Sequence, residues 1–424
     1  MTVDISYSQR AAWSEGQPIS DLMERALANP HLISLAAGFV DQNTLPVDAT
    51  SAALDAVFSD ADGVRKALQY GTTPGSPQLR EMILEDHLAA DGRSASEADL
   101  SIDQVVLTAG SNQLLHLVVE SLIDPGEIVL CAAPTYLVFL GTLANIGGRA
   151  IGVATDEHGI IPEALEEELV RLDAEGELPR VKLIYLVSYS DNPAGVNLPA
   201  ERRAQIVELA KRFSTAGKIH VVADAAYREL RYFGDDTPSV QAYDEEGETV
   251  ITTGTFSKSF APGLRVGWGI LPRHLVEPVC NQKGNIDFGS PHLSQQVMAK
   301  VLELGFYRPH VELLRNAYRK KLETMLTAAD ELLADLPGVH WVKPLGGLYV
   351  WLQLPSEIDT GPDGELLDAA SDEGVMYVPG QYCFPNEGEP VQRNTIRLSF
   401  GVQSCQRIAA GMEALARAIR RVMG

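Results

Sequence analysis

The amino-acid sequence predicts an α/β protein in which a large domain contains a mostly parallel central sheet and a smaller domain is α+β. Two observations support this prediction. Short apolar runs alternate with helical patterns through the middle of the 424-residue chain, whereas longer helices flank a few strand-like runs beyond about residue 300. Strands that alternate with helices indicate a parallel sheet covered on both faces. We therefore assign residues 1–50 to an N-terminal arm and part of the small domain, 51–305 to the large domain and 306–424 to the C-terminal small domain.

Five apolar runs are the predicted strands of the large domain. In chain order they are VVLTAG (105–110), EIVLCAA (127–133), KLIYLVSYS (182–190), HVVADAAY (220–227) and TVITTGTFS (249–257). Helical periodicity predicts a helix at 111–122, after the first of these strands, and another at 199–213, between the third and the fourth.

The C-terminal part of the chain opens with a long, charged helical pattern at 308–336, which ends at Pro337-Gly338. Strand-like runs follow at 340–355 and 394–401. A closing helix is predicted from one apolar face, which consists of Ile408, Met412, Leu415 and Ile419.

Composition argues against several classes of partner. The net charge of −23 repels nucleic acid and anionic membranes, so we expect neither as a partner. The four cysteines have no metal-ligand spacing, which predicts no metal site and a reducing compartment. The N-terminus has no apolar signal core, and the longest apolar run, at 128–144, is too short to cross a bilayer. We expect a soluble cytoplasmic protein.

Reactive residues follow four of the predicted strands, and ligands of open α/β sheets bind at the carboxyl ends of strands. These residues are Gly110, Ser111 and Asn112; Asn192; Asp224 and Tyr227; and Thr255, Ser257, Lys258 and Arg265. Taken singly, each has a structural explanation as a helix cap, a turn residue or a solvated lysine. Taken together, they fit pyridoxal 5′-phosphate, which needs a lysine for a Schiff base, an acid for its pyridine nitrogen and a phosphate site.

Nine stretches of the sequence resemble one enzyme family in order and spacing. They are ISLAAGFVDQNTLP (33–46), YGTTPGSPQLR (70–80), LTAGSNQLLHL (107–117), PTY (134–136), DNPAG (191–195), ADAAYREL (223–230), GTFSKSFAPGLRVGW (254–268), GGLYVW (346–351) and RLSFG (397–401). The chain resembles class I/II aminotransferases of the aminoadipate/kynurenine type, which are fold-type I pyridoxal-phosphate enzymes with an aspartate aminotransferase-like fold. The resemblance implies transfer of an α-amino group between an amino acid and a 2-oxo acid in ping-pong half-reactions.

The resemblance also implies roles for the residues around the cofactor. Lys258 would form the Schiff base and then act as the base at Cα. Asp224 would keep the pyridine nitrogen protonated, and Tyr227 and Asn192 would hydrogen-bond the ring oxygen. Tyr136 would stack on the ring. The phosphate cup would consist of Gly110, Ser111, Asn112, Thr255, Ser257 and Arg265.

Substrate binding and assembly are implied in the same way. Arg397 would bind the substrate α-carboxylate as a bidentate pair, with Gly38 and Asn192 beside it. Tyr70 would reach the phosphate of the neighbouring subunit. The resemblance therefore implies a homodimer with shared active sites.

The sequence departs from the family pattern at several positions. Asp191 and Ala194 stand where Gln and Thr are usual around Asn192, and Ser188 stands where Pro is usual. Asp21 occupies a position where relatives often place an arginine that faces the substrate. These departures predict a bias away from dicarboxylic amino donors.

Three alternative functions are compatible with parts of the sequence. A lyase, decarboxylase or racemase would use the same cofactor with a different Cα bond held perpendicular to the ring. A nucleotide-binding loop is disfavoured, because only three residues separate Gly254 from Lys258 and no G-K-[ST] is present. An effector-binding domain of a transcription regulator is disfavoured, because no basic helix-turn-helix segment precedes the domain.

Overall fold

A computed structural model describes residues 6–14 and 31–424 of the chain. The strands are β1 (Ile33–Ser34), β2 (Val105–Thr108), β3 (Ile128–Ala132), β4 (Arg149–Val153), β5 (Thr155–Asp156), β6 (Gly159–Ile160), β7 (Val181–Val187), β8 (His220–Asp224), β9 (Val250–Thr255), β10 (Gly267–Ile270), β11 (His340–Trp341), β12 (Tyr349–Gln353), β13 (Val375–Met376), β14 (Val378–Pro379), β15 (Glu387–Gly388) and β16 (Thr395–Ser399). The helices are α1 (Gln9–Trp13), α2 (Val47–Val57), α3 (Ala61–Leu68), α4 (Pro77–Ala90), α5 (Ala95–Ala98), α6 (Ser111–Leu122), α7 (Leu137–Ala144), α8 (Pro162–Ala174), α9 (Ala200–Phe213), α10 (Arg273–Asp287), α11 (His292–Glu303), α12 (Tyr307–Leu332), α13 (Glu365–Asp372) and α14 (Cys405–Met423).

The central sheet has eight strands in the order β15-β4-β3-β7-β8-β9-β10-β2. Neighbouring strands from β15 to β9 are parallel, whereas β10 is antiparallel to both β9 and β2. Because β10 alone is reversed, β2 runs in the same direction as β9. This mostly parallel sheet confirms the predicted fold class.

All five predicted strands of this sheet are present, as β2, β3, β7, β8 and β9. Sequence patterns did not predict β4, β10 or β15. These strands comprise the eleven residues 149–153, 267–270 and 387–388, of which four are glycines. Glycine gives no apolar or β-branched strand signal.

Helices cover the central sheet on both faces. In β3, Val129 and Cys131 belong to one hydrophobic cluster, whereas Ile128 and Leu130 belong to another on the opposite face. Alternation of this kind follows from the two-residue period of a strand. A strand that is apolar on both faces is typical of a buried parallel sheet.

A second sheet has four antiparallel strands in the order β11-β12-β16-β14. Residues 342–348 leave this sheet, so the predicted strand run at 340–355 is divided into β11 and β12. The division coincides with a turn in which Gly347 has a φ of +72°. The predicted apolar face of the closing helix is buried.

The segment around β1 packs with the C-terminal part of the chain. β1 pairs with β13, and the Leu35 amide donates to the Met376 carbonyl at 2.8 Å. Two contacts cross the predicted domain limits. The helix α2, which begins before residue 50, packs against α11 of the predicted large domain, and β15, which lies beyond residue 305, pairs with β4 of that domain. The boundaries near residues 50 and 305 stay predictions. In the described ranges, no helix has the length and apolarity needed to cross a membrane.

Candidate active site

The strand ends that carry the predicted reactive residues meet at one edge of the central sheet. The register pairs Val187 at the end of β7 with Asp224 at the end of β8, and Asp224 with Thr253 in β9. On the other side, Gly267 of β10 pairs with both Thr255 and Thr108. The loops that follow β2, β7, β8 and β9 are therefore close together.

Gly110 and Arg265 form the centre of a cationic cup at this edge. Gly110 precedes α6 with a φ of +82°, and a Cβ atom there would overlap the Arg265 guanidinium. Arg265 Nη2 donates to the Ala109 carbonyl at 3.1 Å, and Nη1 donates to Ser257 Oγ at 3.2 Å. Thr255 Oγ1 in turn donates to Ser257 Oγ at 2.9 Å. The free amides at the start of α6 and the guanidinium favour an anion.

Two adjoining cavities meet at Lys258. The inner cavity, of about 240 Å³, is lined by Ser111, Asn112, Tyr136, Asn192, Asp224, Tyr227, Thr255, Ser257, Lys258 and Arg265, together with Phe39 and other apolar residues. The outer cavity, of about 230 Å³, is lined by Gly38 and Arg397 and shares Lys258 with the inner one. Lys258 Nζ donates to the Gly38 carbonyl at 2.8 Å. The structure thus brings the predicted cofactor and substrate residues to one place.

Asp224 is a buried acid with hydrogen-bond donors on both carboxylate oxygens. The Ala226 amide donates to Oδ1 at 3.0 Å, and the Tyr185 hydroxyl donates to Oδ2 at 3.3 Å. Burial raises the pKa of Asp224 to about 6, although these donors and the charge of Lys258 oppose the shift. Asp224 is therefore mostly ionised at neutral pH, and a cation beside it would favour the ionised form further.

Two hydrogen bonds join side chains of the site around the inner cavity. The Tyr227 hydroxyl donates to the Tyr349 hydroxyl at 3.2 Å, and the Tyr136 hydroxyl donates to Asn112 Oδ1 at 3.4 Å. Burial raises the pKa of both Tyr136 and Tyr227, so both phenols are neutral donors at physiological pH.

Arg397 is held in the buried wall of the outer cavity. Its Nη1 donates to Asn192 Oδ1 at 3.0 Å, and its Nη2 donates to the Ala36 carbonyl at 2.9 Å. Its buried Nε has no hydrogen-bond partner among the described residues. A guanidinium that lines a cavity and keeps an unpaired N–H is suited to a carboxylate ligand.

Tyr70 lines neither of these cavities. Tyr70 is 78% exposed and contacts only the ring edge of Phe288 among the aromatic residues of the described chain. Asp21 lies outside the described residues, so its relation to the substrate stays a prediction.

Two tyrosines at the site were not singled out from the sequence. Tyr185 lies inside the apolar run of β7, and its ring stacks on Phe139 with centroids 3.7 Å apart. Tyr349 begins β12, in the stretch GGLYVW. The sequence offered one signal for these two residues, namely a tyrosine within a buried strand. Such a tyrosine indicates a nearby polar group, because a buried phenol usually hydrogen-bonds a partner.

Asp191, one of the departures from the family pattern, is a second buried acid near Asp224. It is 6% exposed, and its Oδ1 has no hydrogen-bond partner in the described part of the chain. Burial, with repulsion from Asp224, raises the pKa of Asp191 well above its usual value. Burial therefore favours the protonated form of Asp191 more strongly than that of an exposed carboxyl group.

Comparison with known proteins assigns the chain to a family. A model of the family described as aminotransferase class I and II matches residues 30–414. The chain belongs to this family. Aromatic-amino-acid aminotransferase 1 of Thermococcus litoralis is 33% identical over 417 residues, which cover 98% of this chain and 94% of the relative. The 2-aminoadipate transaminase of Thermus thermophilus is 30% identical over 422 residues, which cover 99% and 97%.

A solved structure gives the same result for this aminotransferase. Kynurenine aminotransferase of Pyrococcus horikoshii, solved in complex with PMP, is 32% identical, with a TM-score of 0.89 over 99% of this chain and 98% of that one. The predicted enzyme class, the aspartate aminotransferase-like fold and the cofactor pyridoxal 5′-phosphate are confirmed. Transamination is favoured over the lyase, decarboxylase and racemase alternatives, since the named relatives are aminotransferases.

Replacing Asp191 by Asn should raise Tm by a few degrees at pH 8 and by much less at pH 4. The raised pKa means that the folded protein binds the Asp191 proton more tightly than the unfolded chain does, so the cost of Asp191 to stability grows as pH rises above the usual carboxyl pKa. Thermal unfolding at the two pH values measures the difference, with Asp235→Asn as an exposed control. A lower Tm for Asp191→Asn at pH 8 would mean that the carboxylate is ionised and stabilised by a partner.

Replacing Gly110 by Ala should weaken binding of pyridoxal 5′-phosphate roughly tenfold or more, because the new Cβ displaces the Arg265 guanidinium. Gly126→Ala is the matched control, since Gly126 also has a positive φ, of +87°, but has open space around it. Equilibrium titration of each variant with the cofactor gives the two affinities. Equal losses in both variants would show that backbone strain, and not Arg265, accounts for the effect.

Proposed function

We propose that this aminotransferase uses Lys258 to bind pyridoxal 5′-phosphate and transfers an α-amino group from a neutral or aromatic amino acid to a 2-oxo acid. The observation that supports this most directly is the meeting of the two cavities at Lys258. One cavity has an anion cup and a buried acid, and the other has a buried arginine. A cofactor and an amino acid that must both reach the Lys258 amine would need two adjoining cavities of this kind.

The inner cavity fits the cofactor. The Gly110 backbone and the Arg265 guanidinium form a cradle that a Cβ atom would fill, as expected for a phosphate seat. Asp224 would accept a hydrogen bond from the protonated pyridine nitrogen, and Tyr136 would cover a ring face. Tyr227 and Asn192 would contact the ring oxygen, and the remaining phosphate donors would be Ser111, Asn112, Thr255 and Ser257. When bound, pyridoxal 5′-phosphate supplies an electron sink for the carbanion at Cα.

Lys258 has the position required of a base. Its Nζ lies between the two cavities and is held by the Gly38 carbonyl at 2.8 Å. Once a substrate amine has displaced it from the cofactor, the free amine would take the Cα proton and return it at the neighbouring carbon. Asp224 beside the ring favours this transfer, because its negative charge holds the ring nitrogen in the protonated form.

Arg397 would bind the α-carboxylate of both the amino acid and the oxo acid. Asn192 and the Ala36 carbonyl hold its two terminal nitrogens, so the guanidinium plane is set before a ligand arrives. The Gly38 backbone lies beside the same cavity. Because both substrates have this carboxylate, Arg397→Ala is expected to raise KM for both.

The outer cavity favours a neutral side chain. Its apolar lining includes Phe39, Leu137, Val138, Tyr349 and Val378. Within the described residues, its cations are Lys258 and Arg397, and both have roles at the reacting amine and the α-carboxylate. A second substrate carboxylate would be buried there without a cationic partner among the described residues. The T. litoralis relative, named for aromatic amino acids, agrees with this preference, whereas the T. thermophilus relative is named for 2-aminoadipate.

A homodimer with shared sites is part of the proposal. Four apolar side chains near α3 and the end of α10 are exposed in a single chain, and a second protomer would cover them. They are Leu68, Tyr70, Ile286 and Phe288. In this arrangement the Tyr70 hydroxyl of one protomer would contact the cofactor phosphate of the other. We also propose a cytoplasmic location, which the four unpaired cysteines support.

The reaction is tested by the absorption spectrum of the purified protein with pyridoxal 5′-phosphate and single amino acids, without an oxo acid. The visible band of the lysine-bound cofactor should convert to the pyridoxamine form, and Lys258→Ala should show neither the band nor the conversion. Aromatic or large aliphatic donors should exceed 2-aminoadipate and glutamate in kcat/KM by roughly tenfold or more. Similar values would reject the proposed side-chain preference. Release of carbon dioxide or ammonia, or racemisation, with an unchanged band would reject transamination.

The shared site is tested with hybrid dimers of Tyr70→Phe and Lys258→Ala protomers. Tyr70→Phe alone should weaken cofactor binding roughly tenfold, because a hydrogen bond to a charged group is lost. The hybrid contains one site with Lys258 from one chain and Tyr70 from the other, so half of its sites should regain wild-type affinity. Sedimentation should give twice the chain mass of 45.9 kDa. A monomer, or a hybrid no better than its parents, would contradict the shared site.

A further inference from the structure

Tyr349 lines the outer cavity from the four-stranded sheet and contacts Tyr227, which lines both cavities. It is 2% exposed, and it shares a sheet face with Arg397, because Tyr349 pairs with Ser399 and Trp351 with Arg397. The Arg397 guanidinium lies over the Tyr349 ring, 4.5 Å from its centroid. This cation–π contact holds the ring in a fixed position.

The hydroxyl of Tyr349 contacts two elements of the site. The Tyr227 hydroxyl donates to it at 3.2 Å, and the two rings meet edge to face with centroids 5.9 Å apart. The Gly38 backbone lies directly against it, since a Cβ atom on Gly38 would overlap the Tyr349 oxygen. Gly38 in turn accepts the hydrogen bond from Lys258. The phenol oxygen of Tyr349 is therefore close to the groups that surround the reacting amine.

We propose that Tyr349 is a positioning residue that sets the strength with which Tyr227 donates its proton to the ring oxygen of the cofactor. This inference rests on the proposed function, in which Tyr227 contacts that oxygen. A phenol has one proton and accepts others at its lone pairs. Without the cofactor the Tyr227 hydroxyl donates to Tyr349. With the ring oxygen as the acceptor of the Tyr227 proton, the pair would reverse, so that Tyr349 donates to Tyr227 and the chain of two hydrogen bonds polarises the Tyr227 hydroxyl further.

The hydroxyl, and not the ring, is the feature that requires explanation. A phenylalanine at position 349 would keep the contacts with Arg397 and with the Tyr227 ring. Burial raises the pKa of Tyr227, which keeps this phenol protonated, and able to donate, at physiological pH. A stronger donor at the ring oxygen stabilises negative charge there, and this lowers the pKa of the adjacent Schiff-base nitrogen.

The test is a pH titration of the visible absorption band of the protein with pyridoxal 5′-phosphate. Tyr349→Phe should raise the midpoint by roughly half a pH unit, the size expected for loss of one hydrogen bond between neutral groups. Tyr377→Phe is the matched control: Tyr377 is fully buried and its hydroxyl donates to the Thr360 carbonyl at 2.9 Å, but it lines neither cavity. The control midpoint should equal that of the wild type.

The double variant decides whether Tyr349 acts through Tyr227. In a Tyr227→Phe background, Tyr349→Phe should leave the midpoint unchanged, because the hydroxyl that it positions is gone. The same rise in both backgrounds, an equal rise in Tyr377→Phe, or no rise in Tyr349→Phe would overturn the inference and leave the proposed function intact. A wild-type protein without a visible band that depends on Lys258 would overturn both.

Discussion

The pairing of Gly267 with both Thr108 and Thr255 is the constraint on which the site depends. This register inserts one reversed strand between β9 and β2 and places the loop after β2 beside the loop after β9. The approach is so close that a Cβ atom on Gly267 would overlap the Gly110 backbone. Gly110 is then pressed against Arg265, whose guanidinium the Ala109 carbonyl holds. An anion seat formed by backbone amides and one arginine therefore requires glycines at both positions.

The two buried acids show how local donors decide the state of a carboxyl group. Asp224 and Asp191 are both buried, and burial raises the pKa of both. Asp224 receives hydrogen bonds from Ala226 and Tyr185, whereas an oxygen of Asp191 receives none from the described residues. Donors stabilise the ionised form, and without them desolvation favours the neutral acid. Local donors thus oppose the effect of burial at Asp224 more than they do at Asp191.

The substrate cavity is formed by two sheets. The central sheet contributes Lys258 and the turn with Asn192, and the four-stranded sheet contributes Arg397 from β16 and Tyr349 from β12. Asn192 and Tyr349 both contact Arg397, so the group that would bind the carboxylate is connected to the groups around the cofactor. The preorganised guanidinium reduces the ordering that a ligand must undergo when it binds. In the proposed function, the contact between Arg397 and Tyr349 would therefore connect recognition of the carboxylate with the chemistry at the amine.

The sequence by itself determined the fold class, because five apolar runs separated by helical periods specify a parallel sheet, and it determined the residues around Lys258, because reactive groups follow strand ends. It did not reveal β10 or β15, whose glycines have no strand signal of their own. Only the tertiary structure brought Tyr185 to Asp224 and Tyr349 to Tyr227, since these contacts join residues 39 and 122 positions apart in the chain. Tyr70 depends on a further level, because its expected partner lies in another protomer. Local pattern encodes which element a residue joins, whereas packing between elements decides which side chains meet.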